Sequence, residues 1–374
     1  MSRETYLAPV VIGVLSLTLG GCELGPKAYA QNGYRGTGMD QITAKSRQAA
    51  YTVPAPPYDL PAADGPRAKE VYQNVQVLGD VSAERFNHLM AAINTWVAPQ
   101  QGSNPDNVGC NYCHNPQNLA SDEKYTKVVA RRMLQMTMNI NSTWKTHVKG
   151  TGVTCYTCHR GNAVPKYVWS MADAPGGQSG LAGNKFGQNT PVPAVAYSSL
   201  PYDPFSTYLN GAKNIRVQGQ TALPPSTSGA SIAHTEQTYG LMMHMSSSLN
   251  VNCTYCHNSR AFAVWSQSPA PRAQAWYGIR MVGDVNSTYI GSLANVFPAY
   301  RKGPHGDVLK ANCQTCHQGQ NKPLGGVSML KDYPDLAAMV AAPAPAAAAP
   351  APAPAAKEAA AGETASKTPA AAQP

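Results

Sequence analysis

Apolar residues recur at helical spacing in four stretches of the chain. The first stretch spans residues 83–96 and follows Ser82, whose side chain can cap the first turn of a helix. Its apolar positions fall on one helical face: Phe86, Leu89, Met90, Ile93 and Val97. The same spacing predicts helices over 125–147, 237–249 and 273 to about 293. These four elements favour a mostly α-helical protein.

Strand patterns are scarce, and one example of a candidate short strand is the run over 214–218, inside a segment rich in Gly, Pro and Asn. Residues 22–66 are rich in Gly, Pro, Ala and Tyr and are expected to form an extended linker. From 341 to 374 the composition is reduced to Ala, Pro and a few charges, which predicts a disordered tail. The predicted class is therefore mostly α with long irregular connections and few short strands.

The composition leaves little material for an ordinary aliphatic core. The chain of 374 residues has only 5 Phe, but 32 Gly and 31 Pro. Something other than side chains is expected to fill part of the interior.

Eight of the nine cysteines fall into four Cys-x-x-Cys-His units. Two cysteines at this spacing can both bond one edge of a porphyrin, and the next residue can turn its imidazole under the iron. A zinc site is the alternative for paired cysteines, but it does not explain a histidine after every pair. We therefore expect four covalently attached c-type haems, held by Cys110, Cys113 and His114; Cys155, Cys158 and His159; Cys253, Cys256 and His257; and Cys313, Cys316 and His317.

The four units belong to an internal duplication. The first and third share Cys-x-Tyr-Cys-His-Asn, and the second and fourth share Cys-x-Thr-Cys-His-x-Gly. Residues 130–144 also align without gaps on 275–289. The chain is thus predicted to contain two pseudo-symmetric dihaem halves, residues 67–166 and 234–340, joined by a connector over 167–233.

The ninth cysteine, Cys22, closes an uncharged and largely apolar N-terminal run that ends in Leu-Gly-Gly-Cys. This run resembles a bacterial lipobox, which implies a signal peptide over 1–21, cleavage before Cys22 and lipidation of its sulfur. An uncleaved N-terminal anchor is the alternative. In both cases the folded part is tethered outside the inner membrane, with 22–66 as the anchored linker.

The formal net charge of +9 does not indicate a polyanion partner. Four ferrous haems would bring eight propionate charges and lower the net charge to about +1. The basic residues are also scattered, without a dense run, which argues against nucleic acid.

The repeat leaves the sixth iron ligands open. It pairs Met90 with Met242, and Met136 with Met281. Either pair could ligate iron, and either could simply pack in the core, because methionine is a common gap filler. A thioether ligand closes the iron and suits electron transfer, whereas an open iron suits an enzyme.

Several long strings resemble the tetrahaem cytochrome subunit of purple bacterial photosynthetic reaction centres. They run from Val128 to Met133, Gly152 to Gly161, Tyr202 to Phe205, Gln220 to Pro224 and Lys331 to Pro334. The resemblance implies three His/Met haems and one His/His haem. By position it implies Met90, Met133 and Met242 as sixth ligands of the first, second and third haems, and His147 as that of the fourth.

The repeat also indicates that the sixth ligand of the fourth haem differs from that of the second, because Gly278 stands where the first half has Met133. The histidines outside the four units are His88, His147, His234, His244 and His305. His305 is the main rival of His147 as the ligand of the fourth iron. We expect His88 and His244 to lie beside ligand methionines or at the surface. His234 is expected in a loop. Met136 and Met138 are left as packing residues. Cationic side chains near the haem units can pair with propionates or lie at the solvated surface: Arg131, Arg132, Arg160, Arg260 and Arg280.

The resemblance also implies a function that is not enzymatic. The chain would relay electrons from a soluble cytochrome c or a high-potential iron–sulfur protein to the photo-oxidised bacteriochlorophyll pair. It would sit on the periplasmic side of the photosynthetic membrane, on the membrane-embedded pigment-binding subunits. The alternative is a multihaem periplasmic oxidoreductase, of the nitrite or peroxide reductase type, with one open iron.

Overall fold

The computed structural model describes residues 25–31, 40–44, 52–173, 191–210, 213–215, 217 and 231–337. About half of its described residues lie in helices and few lie in short strands, which is consistent with the predicted mostly α class. Ser82 caps the first long helix, since its Oγ accepts a hydrogen bond from the backbone N–H of Arg85. The α-helices are α1 (Ala68–Val71), α2 (Ala83–Val97), α3 (Tyr125–Thr143), α4 (Lys145–Val148), α5 (Cys155–His159), α6 (Ile232–Leu249), α7 (Pro271–Asp284) and α8 (Cys313–His317).

Two helix boundaries differ from the prediction. The helix expected over 125–147 breaks at Trp144, whose indole N–H donates to the carboxylate of Asp284 at 3.0 Å, and His147 therefore lies in the separate short helix α4. The helix expected from residue 237 begins at Ile232, because the Ser231 side chain caps the backbone N–H of His234. The prediction of His234 as a loop residue was wrong.

The helix expected to run to about residue 293 has the right extent but changes type. Beyond α7 the chain continues as a π-helix, Val285–Ile290, and a 3₁₀ turn, Gly291–Leu293. Arg132 of α3 donates to the carbonyl of Thr288 at 2.7 Å, and its guanidinium lies 4.5 Å from the centre of the Tyr289 ring. These contacts tie α3 to the widened turn.

The strands lie elsewhere than expected. The antiparallel strands β1 (Lys27–Gln31) and β2 (Asp40–Ala44) form a hairpin within the segment predicted to be an extended linker. The strands β3 (Val168–Trp169) and β4 (Lys310–Ala311) form a second antiparallel pair. The described residues of the candidate strand, 214, 215 and 217, are irregular, so that prediction was wrong.

Two hydrophobic clusters form the interior. The first joins α2 and α3 to the C-terminal described segment through Leu78, Leu89, Ala92, Trp96, Leu134, Met138, Leu324, Met329, Tyr333 and Leu336. The second joins α6 and α7 to the connector through Ile140, Trp169, Phe205, Tyr208, Leu209, Leu241, Met281, Val282 and Val285. Each cluster therefore takes a segment from a distant part of the chain.

Two buried asparagines at equivalent repeat positions fasten these distant segments. The amide of Asn141 donates to the carbonyls of Val153 and Leu336, at 2.9 and 2.8 Å. The amide of Asn286 donates to the carbonyls of Leu209 and Ala311, both at 2.8 Å. Each side-chain oxygen also accepts from the backbone N–H two residues before a Cys-x-x-Cys-His unit.

The substitution Asn286→Ala is expected to cost roughly 3 kcal/mol of unfolding free energy, because it breaks three hydrogen bonds of a fully buried side chain. The measurement is the guanidinium midpoint of the haem-loaded chain. Ser287→Ala, at the exposed neighbouring position, is the matched control. A midpoint loss no larger than that of the control would contradict this interpretation.

In the ranges described, no helix has both the length and the apolar character needed to cross a bilayer. The predicted signal peptide, Cys22 and the Ala/Pro-rich tail lie outside the described residues.

Candidate haem-binding sites

The second and fourth Cys-x-x-Cys-His units are short α-helices, and their shared threonine explains why. Thr157 and Thr315 occupy the third helical position, and each hydroxyl accepts the backbone N–H of the capping residue, Thr154 or Asn312. Both threonines are almost fully buried. The reciprocal cap holds both cysteines and the histidine of each unit on one helical turn.

The glycine shared by the same two units also has a local cause. The residue after each histidine, Arg160 or Gln318, is left-handed, and the following Gly161 and Gly319 have φ of 82°. The backbone N–H of Gly161 donates to the carbonyl of Trp96 at 2.8 Å. The N–H of Gly319 donates to the carbonyl of Ser248 at the same distance, so each unit docks on the long helix of its own half.

The first and third units are 3₁₀ turns, Gly109–Tyr112 and Cys253–Tyr255. In both, the backbone N–H of the histidine donates to the carbonyl of the first cysteine at 3.0 Å. The asparagine after each histidine closes an Asx turn, because its side-chain oxygen accepts the backbone N–H two residues on. The two motif classes read from the sequence thus correspond to two local structures.

Five histidines share one orientation. The Nδ1 atoms of His114, His159, His257, His317 and His147 each lie 2.8–3.1 Å from a backbone carbonyl: those of Leu119, Asn162, Phe262, Gln320 and Gln274. A carbonyl only accepts, so Nδ1 carries the proton in each ring. The Nε2 lone pair is left for a metal, which is the usual arrangement of a ligating histidine.

Burial favours the neutral form of four of these five rings. It lowers the pKa of His147, His159 and His257 below the ordinary value, and that of His317 to about 4. Neutral imidazole is the form that ligates iron. Burial also raises the pKa of the Cys155 and Cys256 thiols to about 11.

The structure brings the rings of His147 and His317 close together at the fourth unit, with their planes inclined at 72°. Their ring centres lie 6.2 Å apart. Two metal–imidazole bonds of about 2 Å, with the two ring radii, need a separation of roughly this size. A Cβ on Gly278 would lie 2.6 Å from Cε1 of His147, so the missing side chain at 278 is what gives the ring its space.

A large cavity adjoins the third unit. Its volume is about 1860 Å³, and its walls include all four groups predicted for the third haem: Met242, Cys253, Cys256 and His257. Arg260, Arg272 and Arg280 also line it. The Nε of Arg280 is buried and has no partner among the described residues, although its guanidinium lies 3.9 Å from the centre of the Trp276 ring. An apolar space with cations at its wall fits a haem and its propionates.

The first and second units lie beside the helices that carry their predicted methionines. Helix α2, with Met90, contacts the 3₁₀ turn of the first unit, and α3, with Met133, contacts α5 of the second. Met138 lies in the first core, and Met136 and Met281 pack in the second. The packing positions agree with the prediction for Met136 and Met138, but the predicted ligands Met90 and Met242 also pack against these two clusters.

The remaining histidines are engaged elsewhere. His305 lies 3.1 Å from the Asp173 carboxylate in a partly exposed pair. His88 and His244 are buried, and they use Nε2 to contact the carbonyl of Tyr58 and the hydroxyl of Ser248. The Nε2 of His234 lies 2.9 Å from Nζ of Lys213. All four thus differ from the five rings above, whose Nε2 atoms have no hydrogen bond within the described part of the chain.

The even units of the two halves meet directly. The Sγ atoms of Cys158 and Cys316 lie 2.7 Å apart, and Arg160 reaches the carbonyl of Cys316 at 3.3 Å. Helices α5 and α8 are in contact. The second and fourth attachment sites are therefore neighbours.

Of the arginines singled out in the sequence, Arg131 pairs with Asp122 at 2.8 Å, and Arg260 and Arg280 line the cavity. Sequence reasoning missed Arg301, which donates to the hydroxyls of Tyr112 and Tyr125 at 3.1 and 3.3 Å. It also gave no role at the haem sites to Lys127 and Arg272, which pair when the gapless repeat is extended upstream by three residues.

Comparison with known proteins covers most of the chain. Residues 23–337 match the family described as photosynthetic reaction centre cytochrome C subunit. The protein named photosynthetic reaction center cytochrome c subunit in Rubrivivax gelatinosus is 51% identical to this chain, over 92% of this chain and 93% of the relative. The relative of the same name in Thermochromatium tepidum is 53% identical over 88% of this chain and 80% of its own length. The relative of the same name in Roseobacter denitrificans is 38% identical over 88% of this chain and 92% of its own length. The chain belongs to the family of photosynthetic reaction centre cytochrome c subunits.

Proposed function

We propose that this chain carries single electrons from a soluble donor to the photo-oxidised bacteriochlorophyll pair of a reaction centre, using four covalently held c-type haems. A bound haem supplies reversible one-electron chemistry at its iron. The observation that carries the proposal is the common orientation of five histidines, with His147 facing His317 where Gly278 makes room. Four of these rings follow a cysteine pair, and the fifth completes one site.

The residues proposed to hold the haems are those that the sequence predicts. The four cysteine pairs would form the thioether bonds, and His114, His159, His257 and His317 would ligate the irons from one side. Met90, Met133, Met242 and His147 would close the other side of the first, second, third and fourth sites. The cavity that joins Met242 to His257 supports the third assignment.

We propose two pseudo-symmetric dihaem halves. Matched hydrogen bonds support this division. The side-chain amides of Asn141 and Asn286 each donate to a backbone carbonyl of a distant segment. The backbone N–H groups of Gly161 and Gly319 each donate to a carbonyl of the long helix in their own half. The contact between Cys158 and Cys316 supports transfer between the halves at the second and fourth sites. Close neighbours are what stepwise electron transfer needs.

The proposed place of the chain is the periplasmic side of the photosynthetic membrane, anchored by lipid on Cys22. Its proposed partners are the membrane-embedded pigment-binding subunits and, as donor, a soluble cytochrome c or a high-potential iron–sulfur protein. Family membership supports association with the reaction centre. Mass spectrometry of the N-terminal peptide tests the anchor, because a free Cys22 thiol would contradict it.

The proposal as a whole is tested by counting haems and open irons on the purified chain. We expect four haems per chain from pyridine haemochrome spectra and intact mass, and no carbon monoxide binding after reduction. Fewer than four haems would contradict the assignment of the attachment units. An iron that binds carbon monoxide would instead favour the alternative, a multihaem oxidoreductase with an open site.

A further inference from the structure

Lys127 is a buried cation inside the first half. It lies in α3, and only 8% of its surface is exposed. Its ammonium donates to the carbonyls of Leu119 and Ser121, both at 2.8 Å, and lies 3.2 Å from the carboxylate of Asp122. A lysine in such a place is uncommon, because burial of a charge needs compensating partners.

One of those carbonyls connects Lys127 to the first haem site. The oxygen of Leu119 that accepts from Lys127 also accepts the Nδ1–H of His114, at 3.1 Å. A carbonyl has two lone pairs and can serve both donors. The ammonium and the imidazole therefore share one acceptor atom.

The cation keeps a net effect in spite of its counter-charge. Asp122 is shared, because Arg131 also pairs with it at 2.8 Å. Two cations thus face one carboxylate, and the carboxylate is the more exposed group, with 39% of its side chain accessible against 10% for Lys127. Solvent screens the exposed charge more than the buried one.

We propose that Lys127 is a positioning residue that raises the reduction potential of the first haem site through His114. This inference rests on the proposed function, in which His114 ligates that iron. Reduction adds one electron and removes one positive charge from the iron, so a nearby fixed cation favours the reduced form. An oxygen already bound by an ammonium is also a weaker acceptor for Nδ1–H, which makes the imidazole a poorer electron donor to iron.

The repeat places a second cation in the same register. Arg272 is the counterpart of Lys127, and it donates to the carbonyl of Ala263 at 3.3 Å. That carbonyl follows directly on that of Phe262, which accepts from His257. A cation beside the carbonyl acceptor of the histidine is therefore a feature of both odd units.

The test is a redox titration of the haem-loaded chain, with each haem resolved by its spectrum. Lys127→Gln keeps a hydrogen-bond donor for the loop and removes the charge. At a fixed potential we expect the reduced-to-oxidised ratio of the first haem to fall about tenfold, which is about 59 mV for one electron. Lys127→Arg should keep the ratio within twofold of the unmodified protein. Lys331→Gln, at an exposed position, removes the same charge and should leave the ratio unchanged.

A second variant, at Asp122, tests the inference even if Lys127→Gln does not fold. Asp122→Asn removes the counter-charge and should shift the first haem in the opposite direction, with a higher reduced-to-oxidised ratio. An unchanged ratio in both Lys127→Gln and Asp122→Asn would overturn the inference, and so would equal shifts at all four haems. Absence of a haem at Cys110 and Cys113 in the unmodified protein would instead overturn the proposed function.

Discussion

His147→Ala is expected to open one iron in every chain. The imidazole of His147 faces that of His317 at 6.2 Å, and its Nδ1–H is held by the carbonyl of Gln274, so Nε2 is directed at the shared site. Alanine supplies no ligand, and we expect one high-spin haem that binds carbon monoxide in the reduced protein. Carbon monoxide titration should give one equivalent per chain, against none for the unmodified protein.

The matched control is His305→Ala. His305 pairs with the Asp173 carboxylate and was the rival ligand in the sequence, so its removal should leave all four irons closed. One equivalent of carbon monoxide bound by the control, with none bound by His147→Ala, would reverse the assignment. Binding by neither variant would show that the fourth site takes its ligand from another residue.

Gly278→Met combined with His147→Ala is expected to change the ligand type of the fourth haem. Methionine stands at the equivalent repeat position, Met133, and a side chain at 278 would enter the space that the His147 ring fills. The double variant should carry four His/Met haems and raise the potential of the fourth on the order of 0.2 V, within the span of about 0.8 V that axial ligands set. Near-infrared magnetic circular dichroism counts the methionine-ligated irons.

Gly278→Met alone tests whether a side chain at position 278 excludes the His147 ring. A Cβ at 278 would lie 2.6 Å from Cε1 of His147, so the single variant should displace the histidine from the site. A fourth haem that keeps its His/His spectrum in the single variant would contradict the fit between Gly278 and His147.

The local structure of the sites could be predicted because it depends on short-range chemistry. The Cys-x-Thr-Cys-His-x-Gly pattern contains its own cap, Thr157 or Thr315, and its own left-handed exit, Gly161 or Gly319. The helical spacing of apolar residues in α2 identifies the face of the helix that is buried. The repeat also indicated that the position of Gly278 lacked a ligand.

Long-range contacts could not be predicted in this way. The carbonyl partners of the five Nδ1 atoms are backbone groups, which leave no trace in side-chain identity. The strand pair of 168–169 with 310–311 has only two residues per strand, too few for an alternating pattern. The indole of Trp144, at the break between α3 and α4, donates to Asp284, a residue far away in the chain. Lys127 looked like any other helical lysine, because its burial follows from the loop that folds over it.

The proposed role of this chain is to deliver electrons to a photo-oxidised pigment pair. The most direct measurement is flash-induced absorbance of the purified reaction centre with all four haems reduced beforehand. We expect the bleached pigment band to recover in step with the oxidation of one haem per flash. Recovery at the same rate with the haems oxidised beforehand, or without any haem oxidation, would contradict it.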